Sequence, residues 1–330
     1  MALIFRRLVF FTACFAFVVI VVGGYVRLED AGLGCPDWPG CYGQLVGVPV
    51  EAHEIARAEE AFSKPVDVGR ARKEMFHRYI AGTLGVLILA IALIAWSGRA
   101  ALRQSPALAT ALVVLVALQA VLGKWTVTML LKPVIVTLHL LGGMATLALL
   151  AWLALRQVPV RAHPETAPRG LGILAVVGLT VVFVQIALGG WVSTNYAALA
   201  CIDFPTCHGE WLPQMDFRHA FHLVRELGMT AAGAPLSHEA LTAIQWTHRV
   251  GALATLVTAG ALGLAVLGTA NFRLYGIVLL GIVLIQIGVG TANVLLRLPL
   301  VLAAAHNGGA ALLLVALVVL NFALFRKPSR

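Results

Sequence analysis

Residues 7–28 read RLVFFTACFAFVVIVVGGYVRL, with no charged side chain between the first arginine and the last. About 20 apolar residues in a helix cross the hydrocarbon core of a bilayer. Because lipid offers backbone polar groups no hydrogen-bond partner, such a segment has to be helical. Seven further segments have the same character: 74–97, 105–129, 133–155, 170–192, 242–268, 272–295 and 299–325. The sequence therefore predicts an all-α integral membrane protein with eight transmembrane helices.

The composition also argues against a soluble protein. Of the 330 residues, 60% are hydrophobic and 12% are charged, and the mean hydropathy is +0.91. A soluble domain carries roughly 25% charged residues. A net charge of +9 would suggest nucleic-acid binding in a soluble protein, but here the basic residues lie at the ends of the apolar segments. We expect no nucleic-acid partner.

Lysine and arginine predict the orientation, since cytoplasmic segments are enriched in both. One set of helix ends carries most of them: Arg6, Arg7, Arg99, Arg103, Arg156, Arg161, Arg169, Arg273, Arg326, Lys327 and Arg330. Both termini are therefore expected in the cytoplasm, and the long connections 29–73 and 193–241 on the outside. The first segment lacks a signal-peptide cleavage site and is interpreted as an anchor. With no transit peptide before it, we expect a multi-pass protein of the bacterial cytoplasmic (inner) membrane.

The second half of the chain repeats the first. GGYV at 23–26 recurs as GGWV at 189–192, CPDWPGCYG at 35–43 as CIDFPTCHG at 201–209, and FHR at 76–78 as THR at 247–249. Gln119, Gly123 and His139 recur with the same spacing as Gln286, Gly290 and His306. We predict two tandem, pseudo-symmetric four-helix bundles, residues 1–160 and 161–330, related by an axis along the membrane normal.

Four histidines occupy equivalent places in these halves. His77 and His248 begin the second and sixth segments, and His139 and His306 lie about two turns into the fourth and eighth. A packed, hydrogen-bonded histidine is the ordinary alternative, but an ionisable residue at membrane depth favours a function. Haem iron takes histidine as an axial ligand, and a helix bundle holds cofactors between facing helices. We predict one haem between His77 and His139, and another between His248 and His306.

The halves differ beside the first histidine of each pair. Glu74 precedes His77 by three residues and shares its helix face, whereas the equivalent position in the second half holds Gln245. A carboxylate can transfer a proton and an amide cannot. The first half is therefore the candidate catalytic half, with Glu74 as the catalytic residue, unless this glutamate only marks the start of a helix.

Two arginines, Arg78 and Arg249, directly follow these histidines near the predicted outer surface. They are candidates to bind haem propionates through charge-assisted hydrogen bonds. Arginines that extend to the membrane interface are the alternative.

Two cysteine pairs, Cys35 with Cys41 and Cys201 with Cys207, lie with identical spacing in the predicted outer connections. An oxidising exterior favours disulfide bonds. We expect each pair to form one, either as a structural crosslink or as a redox-active pair.

Taken together, these residues resemble the haem A synthase family. GLGCPDWPGC at 32–41 is similar to its first-loop signature, and EMFHR at 74–78 to its Glu-x-x-His-Arg motif. His139, WTHR at 246–249 and HN at 306–307 fall where its other haem ligands belong. The segment EDA at 29–31 departs from the small polar residues usual before the cysteine motif. The resemblance covers essentially the whole chain.

The resemblance implies an oxidoreductase that converts the C8 methyl group of haem O into the formyl group of haem A through successive hydroxylations. It implies that His77 and His139 frame the substrate haem, with Glu74 catalytic, and that His248 and His306 hold a haem b cofactor. It also implies that a haem O synthase supplies the substrate and that a terminal cytochrome oxidase, or its assembly factors, receives the product. The electron acceptor and the oligomeric state, including a homo-oligomer, stay open.

Two other functions compete with this one. A dihaem b protein that only transfers electrons would account for the four histidines but not for the contrast between Glu74 and Gln245. A transporter can also be built from parallel repeats, but it predicts broken helices and charged residues near the middle of the membrane, which the sequence lacks.

Overall fold

The computed structural model describes residues 1–158 and 169–325, and within these ranges it contains helices and isolated bridges but no strand. Eight helices are long and apolar enough to cross a membrane: α1 (Ala2–Leu28), α3 (Val68–Ser97), α5 (Ala107–Thr128), α6 (Pro133–Arg156), α7 (Arg169–Thr194), α9 (His238–Leu267), α10 (Arg273–Leu295) and α11 (Leu300–Phe325). Three shorter helices are α2 (Ala52–Phe62), α4 (Arg99–Leu102) and α8 (Phe217–Ala220). The eight predicted helices are confirmed.

The predicted boundary between the halves, at 160/161, lies outside the described residues. The same holds for Arg161, Arg326, Lys327 and Arg330, which contributed to the predicted orientation.

Helices α3 and α9 begin four to six residues before the apolar segments predicted from 74 and 242. The side chain of Asp67 accepts a hydrogen bond from the backbone N–H of Arg70, at 3.0 Å, and Ser237 accepts one from Ala240, at 3.2 Å. Such caps satisfy free N–H groups at a helix start. Hydropathy marks only the lipid-crossing part of a helix, so the polar first turns were missed.

Two tight turns set the depth of the second histidine of each pair. Leu130 and Leu131 follow α5 with φ of 50° and 57°, and Arg297 and Leu298 follow α10 with φ of 58° and 63°. The left-handed conformation reverses the chain within a few residues. His139 and His306 then each lie six residues after the first residue of α6 and of α11.

The long helices contact one another in two groups. In the first group α1 packs on α3 and α6, and α5 packs on α3 and α6; in the second, α9 packs on α7 and α10, and α11 packs on α7 and α10. Contacts of α1 with α11 and of α6 with α7 and α11 join the groups. The largest fully buried side chains include Phe5, Ile88, Leu112, Met144, Leu150, Leu262, Leu279 and Leu317. The pseudo-symmetry of the halves stays a prediction.

Candidate functional site

Each of the four histidines lies against a glycine of the neighbouring helix. A Cβ atom added to Gly23 would lie 2.7 Å from Cε1 of His77, and one added to Gly123 would lie 3.5 Å from Cε1 of His139. In the second half, a Cβ atom added to Gly189 would lie 3.1 Å from Cε1 of His248, and one added to Gly290 would lie 2.9 Å from Cε1 of His306. At Gly23, Gly189 and Gly290 the imidazole ring thus occupies space that a side chain would need, whereas at Gly123 the contact is an ordinary van der Waals distance.

The imidazole rings of His248 and His306 are neighbours in an edge-to-face arrangement. Their centroids are 6.5 Å apart, with an angle of 80° between the ring planes. A metal–imidazole bond is about 2 Å long. Two such bonds, together with the distance from each ring centroid to its coordinating nitrogen atom, add up to nearly the observed separation. The spacing therefore fits one metal atom held between the two histidines.

The nitrogen atoms of the four rings also fit a metal ligand. Nδ1 of His77, of His139 and of His306 is buried without a hydrogen-bond partner, while Nδ1 of His248 lies 3.0 Å from Nε2 of Gln185. None of the hydrogen bonds among the described residues engages an Nε2 atom of these four side chains. The rings are only partly buried. The donor set, the glycine contacts and the free Nε2 atoms thus fit axial ligation of haem iron.

Glu74 is buried, with 5% of its surface exposed, and its carboxylate points to the first cysteine loop. Oε2 accepts a hydrogen bond from the backbone N–H of Cys35 at 2.8 Å, and Oε1 accepts one from Nη2 of Arg78 at 2.6 Å. Gln245, at the equivalent position, is equally buried, but its Oε1 has no partner. One carboxylate therefore links the cysteine loop to the helix that carries His77, and the second half lacks this link.

The two arginines proposed as propionate ligands are hydrogen-bonded to the backbone of the cysteine loops. Nη1 of Arg78 donates to the backbone oxygens of Asp37, at 2.9 Å, and of Gly40. Arg249 donates to the backbone oxygens of Thr206, at 2.7 Å, and of Cys201, at 3.0 Å. These contacts favour a role in fixing the loops, and the binding of propionates stays a prediction.

Both cysteine pairs form disulfides, as predicted. The Cα atoms are 4.8 Å apart in Cys35–Cys41 and 4.9 Å apart in Cys201–Cys207. An aspartate closes each loop: Asp37 accepts from the N–H groups of 42 and 43, and Asp203 from those of 208 and 209. The N–H of Gly209 and the hydroxyl of Thr206 hold the pKa of Asp203 well below its usual range. The two loops are thus built in the same way.

Sequence reasoning did not single out Gln185, which contacts His248 from α7. Its position lies four residues before the repeated glycine pair, where the first half has Val19. A position-by-position comparison of the two halves would have revealed this difference.

The sequence matches the COX15-CtaA family, described as "Cytochrome oxidase assembly protein", over residues 6–318. It is 41% identical over 320 residues to a protein of Shewanella oneidensis named "Heme A synthase", covering 96% of each chain. It is 30% identical to a protein of that name from Caulobacter sp. strain K31, covering 92% of this chain and 91% of the relative. A Nitrosospira multiformis protein of the same name is 29% identical and covers 96% and 92%. With the paired histidines and disulfide loops in place, the chain belongs to the COX15-CtaA family of cytochrome oxidase assembly proteins.

Proposed function

We propose that this protein is a haem A synthase, an oxidoreductase that converts the C8 methyl group of haem O into the formyl group of haem A by successive hydroxylations. The observation that carries the proposal is the unequal pair of sites. Each half has two histidines lying against glycines, but only the first has a buried carboxylate, Glu74, three residues before its first histidine. The name shared by the relatives supports the same activity.

In this proposal the first half binds the substrate. His77 and His139 would bind haem O, and their glycine contacts would hold the two imidazole rings in place. The lipid-facing apolar helices limit access of bulk water to this site. The second half holds the cofactor between His248 and His306. When bound there, haem b supplies one-electron transfer.

Glu74 is proposed to hold and move the protons of the reaction. Its two oxygens are held by Cys35 and Arg78, so the carboxylate has one orientation and a nearby positive charge. A carboxylate that accepts hydrogen bonds can exchange a proton with a neighbouring group, which the amide of Gln245 cannot do. Arg78 and Cys35 act as positioning residues, since they contact Glu74 rather than the substrate.

The proposal also includes the location of the enzyme and its partners. Eight apolar helices fit a multi-pass membrane protein, and we place it in the cytoplasmic (inner) membrane, with both termini inside and both disulfide loops outside. A haem O synthase would deliver the substrate, and a terminal cytochrome oxidase or its assembly factors would receive haem A.

The test is to express the chain together with a haem O synthase, extract the haems and separate them by chromatography. We expect haem A from cells with the unmodified chain. Glu74→Gln should abolish haem A while haem b stays bound to the purified protein, and Gln245→Glu serves as the matched control at the equivalent position. Haem b alone in the unmodified protein would indicate an electron carrier, and undiminished haem A from Glu74→Gln would remove this carboxylate from the reaction.

A further inference from the structure

The two halves differ in how the protein supports its histidines. We propose that Gln185 is a positioning residue that fixes the His248 imidazole and thereby keeps a haem permanently in the second half. The first half lacks such a residue and is therefore suited to bind and release its haem. This inference rests on the proposed function, because a substrate has to leave its site after every reaction and a cofactor has to stay.

Gln185 holds both the ring and the backbone of His248. Its Nε2 lies 3.0 Å from Nδ1 and 3.0 Å from the backbone oxygen of that residue. Its Oε1 is buried without a partner. In the structure the amide nitrogen therefore donates to a deprotonated Nδ1 and to the backbone oxygen. Rotation of the amide about its Cγ–Cδ bond would bring Oε1 to Nδ1, where it would accept from a protonated nitrogen, and would give up the hydrogen bond to the backbone oxygen. The second arrangement leaves Nε2 free to bind a metal, and a partner of this kind usually fixes the orientation of a ligand histidine.

A glycine makes room for this amide. A Cβ atom at Gly251 would lie 2.1 Å from Oε1 of Gln185, so any larger residue there would displace the side chain. The first half differs at both positions, since Val19 corresponds to Gln185 and Ile80 to Gly251. Valine offers no hydrogen bond, and Nδ1 of His77 is buried without a partner. The first half therefore lacks both the glutamine and the glycine that makes room for it.

The other histidine of each pair lies beside a glutamine in both halves, and its Nδ1 is without a partner in both. Nε2 of Gln286 donates to the backbone oxygen of His306 at 2.8 Å. Its counterpart Gln119 points its Nε2 at Gly142, and this nitrogen is buried without a partner. Among the described residues a glutamine therefore contacts the imidazole ring of His248 alone, so the contrast between the halves rests on Gln185 and its counterpart Val19.

The consequence is a difference in the rate of haem loss. Removing a partner of a metal-ligating histidine lowers metal affinity by about 10- to 100-fold. A site with these partners retains its haem, whereas a site without them exchanges it. The same fold would in this way hold a resident haem in one half and a transient haem in the other.

The experiment compares purified full-length protein with Gln185→Val, which copies the first half, and with Gln119→Val as the matched control. Haem b per polypeptide is measured as the pyridine haemochrome, and the rate of haem loss by transfer to apomyoglobin. We expect Gln185→Val to lose haem b about 10-fold faster or more, and Gln119→Val to behave as the unmodified protein. Equal rates for all three proteins would overturn the proposal.

A second variant separates positioning from folding. Gln185→Glu keeps an acceptor for the Nδ1 proton and makes the imidazole a stronger ligand, so haem b should stay bound and its reduction potential should fall. An unchanged potential would contradict the assigned contact. His248→Ala tests the proposed function separately: if it leaves haem b in place, the cofactor site itself is wrong. If His248→Ala loses haem and Gln185→Val does not, only the role of Gln185 fails.

Discussion

The glycine opposite each histidine determines how closely the imidazole ring approaches the neighbouring helix. At Gly23 and Gly290 a methyl group would come within 3.0 Å of Cε1, closer than a carbon–carbon contact allows. Because interiors are close-packed, the ring would have to move. The position of each proposed haem ligand thus depends on a glycine of the neighbouring helix.

This contact gives a prediction for Gly290→Ala. Alanine is a better helix former than glycine by about 1 kcal/mol, so the helix itself should not be weakened. The added methyl group should nevertheless displace His306, and haem b content should fall severalfold, as measured in the absorption spectrum of the purified protein. Gly288→Ala is the control on the same helix, because a Cβ atom there meets no atom within 4 Å. Equal haem content in both variants would argue against the contact.

The contacts of Glu74 are only partly predictable from its local sequence. Its spacing from His77 predicted a shared helix face, but the carboxylate also binds the amide of Cys35, 39 residues earlier in the chain. The amide of Cys35 reaches Glu74 because residues 35–41 fold into a closed disulfide loop over the start of α3. Only the folded chain shows that the carboxylate is hydrogen-bonded to the backbone N–H of a disulfide-bonded cysteine.

At the scale of elements, each disulfide loop is fastened to the start of a transmembrane helix by one arginine. Arg78 on α3 reaches the first loop and Arg249 on α9 the second, in both cases through backbone oxygens. The planar guanidinium presents several donors at once, which a lysine cannot do. The loop therefore keeps a fixed position over the helix that carries the first histidine of each pair.

The arginine contacts predict that Arg78→Lys loosens the first loop. Each hydrogen bond from a charged group contributes about 1.5–3 kcal/mol, so losing even one should raise the open fraction of the loop about 10-fold or more. The measurement is the rate at which a mild reductant opens the disulfide between Cys35 and Cys41, read by labelling the freed thiols with a maleimide after the reductant has been removed. Labelling of Cys201 and Cys207 in the same sample is the internal control, and unchanged labelling at Cys35 would contradict the assigned role.

At the scale of the whole molecule, the two halves are joined at the end that carries the loops. Nη2 of Arg27 donates to the backbone oxygen of Ser193 at 2.7 Å, and its guanidinium lies 4.2 Å from the ring centroid of Tyr196. The hydroxyl of Tyr196 donates to Asp30 at 2.7 Å. Lys132 and Glu226 form a further ion pair at 2.8 Å. The contacts of Arg27 and Asp30 thus join the region at the end of α1 to the region at the end of α7.

Tyr196→Phe tests the junction between the halves. Loss of the hydroxyl removes hydrogen bonds to Asp30 and Arg27 at a partly exposed site, so the free energy of unfolding should fall by about 1 kcal/mol. Denaturant titration in detergent micelles measures this change. Tyr275→Phe is the control, since its hydroxyl makes none of the hydrogen bonds described for this chain. A fall of equal size in both variants would show that the Tyr196 hydroxyl contributes nothing specific to the free energy of unfolding.

Much of this architecture could be predicted from the sequence. The eight apolar segments, the disulfide pairing and the family follow from residue types and spacings alone. The starts of α3 and α9 could not be predicted, because the capping groups Asp67 and Ser237 lie outside the apolar windows. The contacts of Arg78 and Arg249 were also missed, since an arginine beside a haem ligand has the same local pattern whether it faces a propionate or a loop.

The sequence by itself determined that this chain is a helical membrane protein with two similar halves and paired histidines, because lipid solvation and covalent spacing act on every segment locally. The tertiary structure decided which groups meet across segments: glycine with histidine, Gln185 with His248, and Glu74 with Cys35. Hydrogen bonds and close packing act only over a few ångströms. Residues far apart in the chain become partners only after the helices have packed.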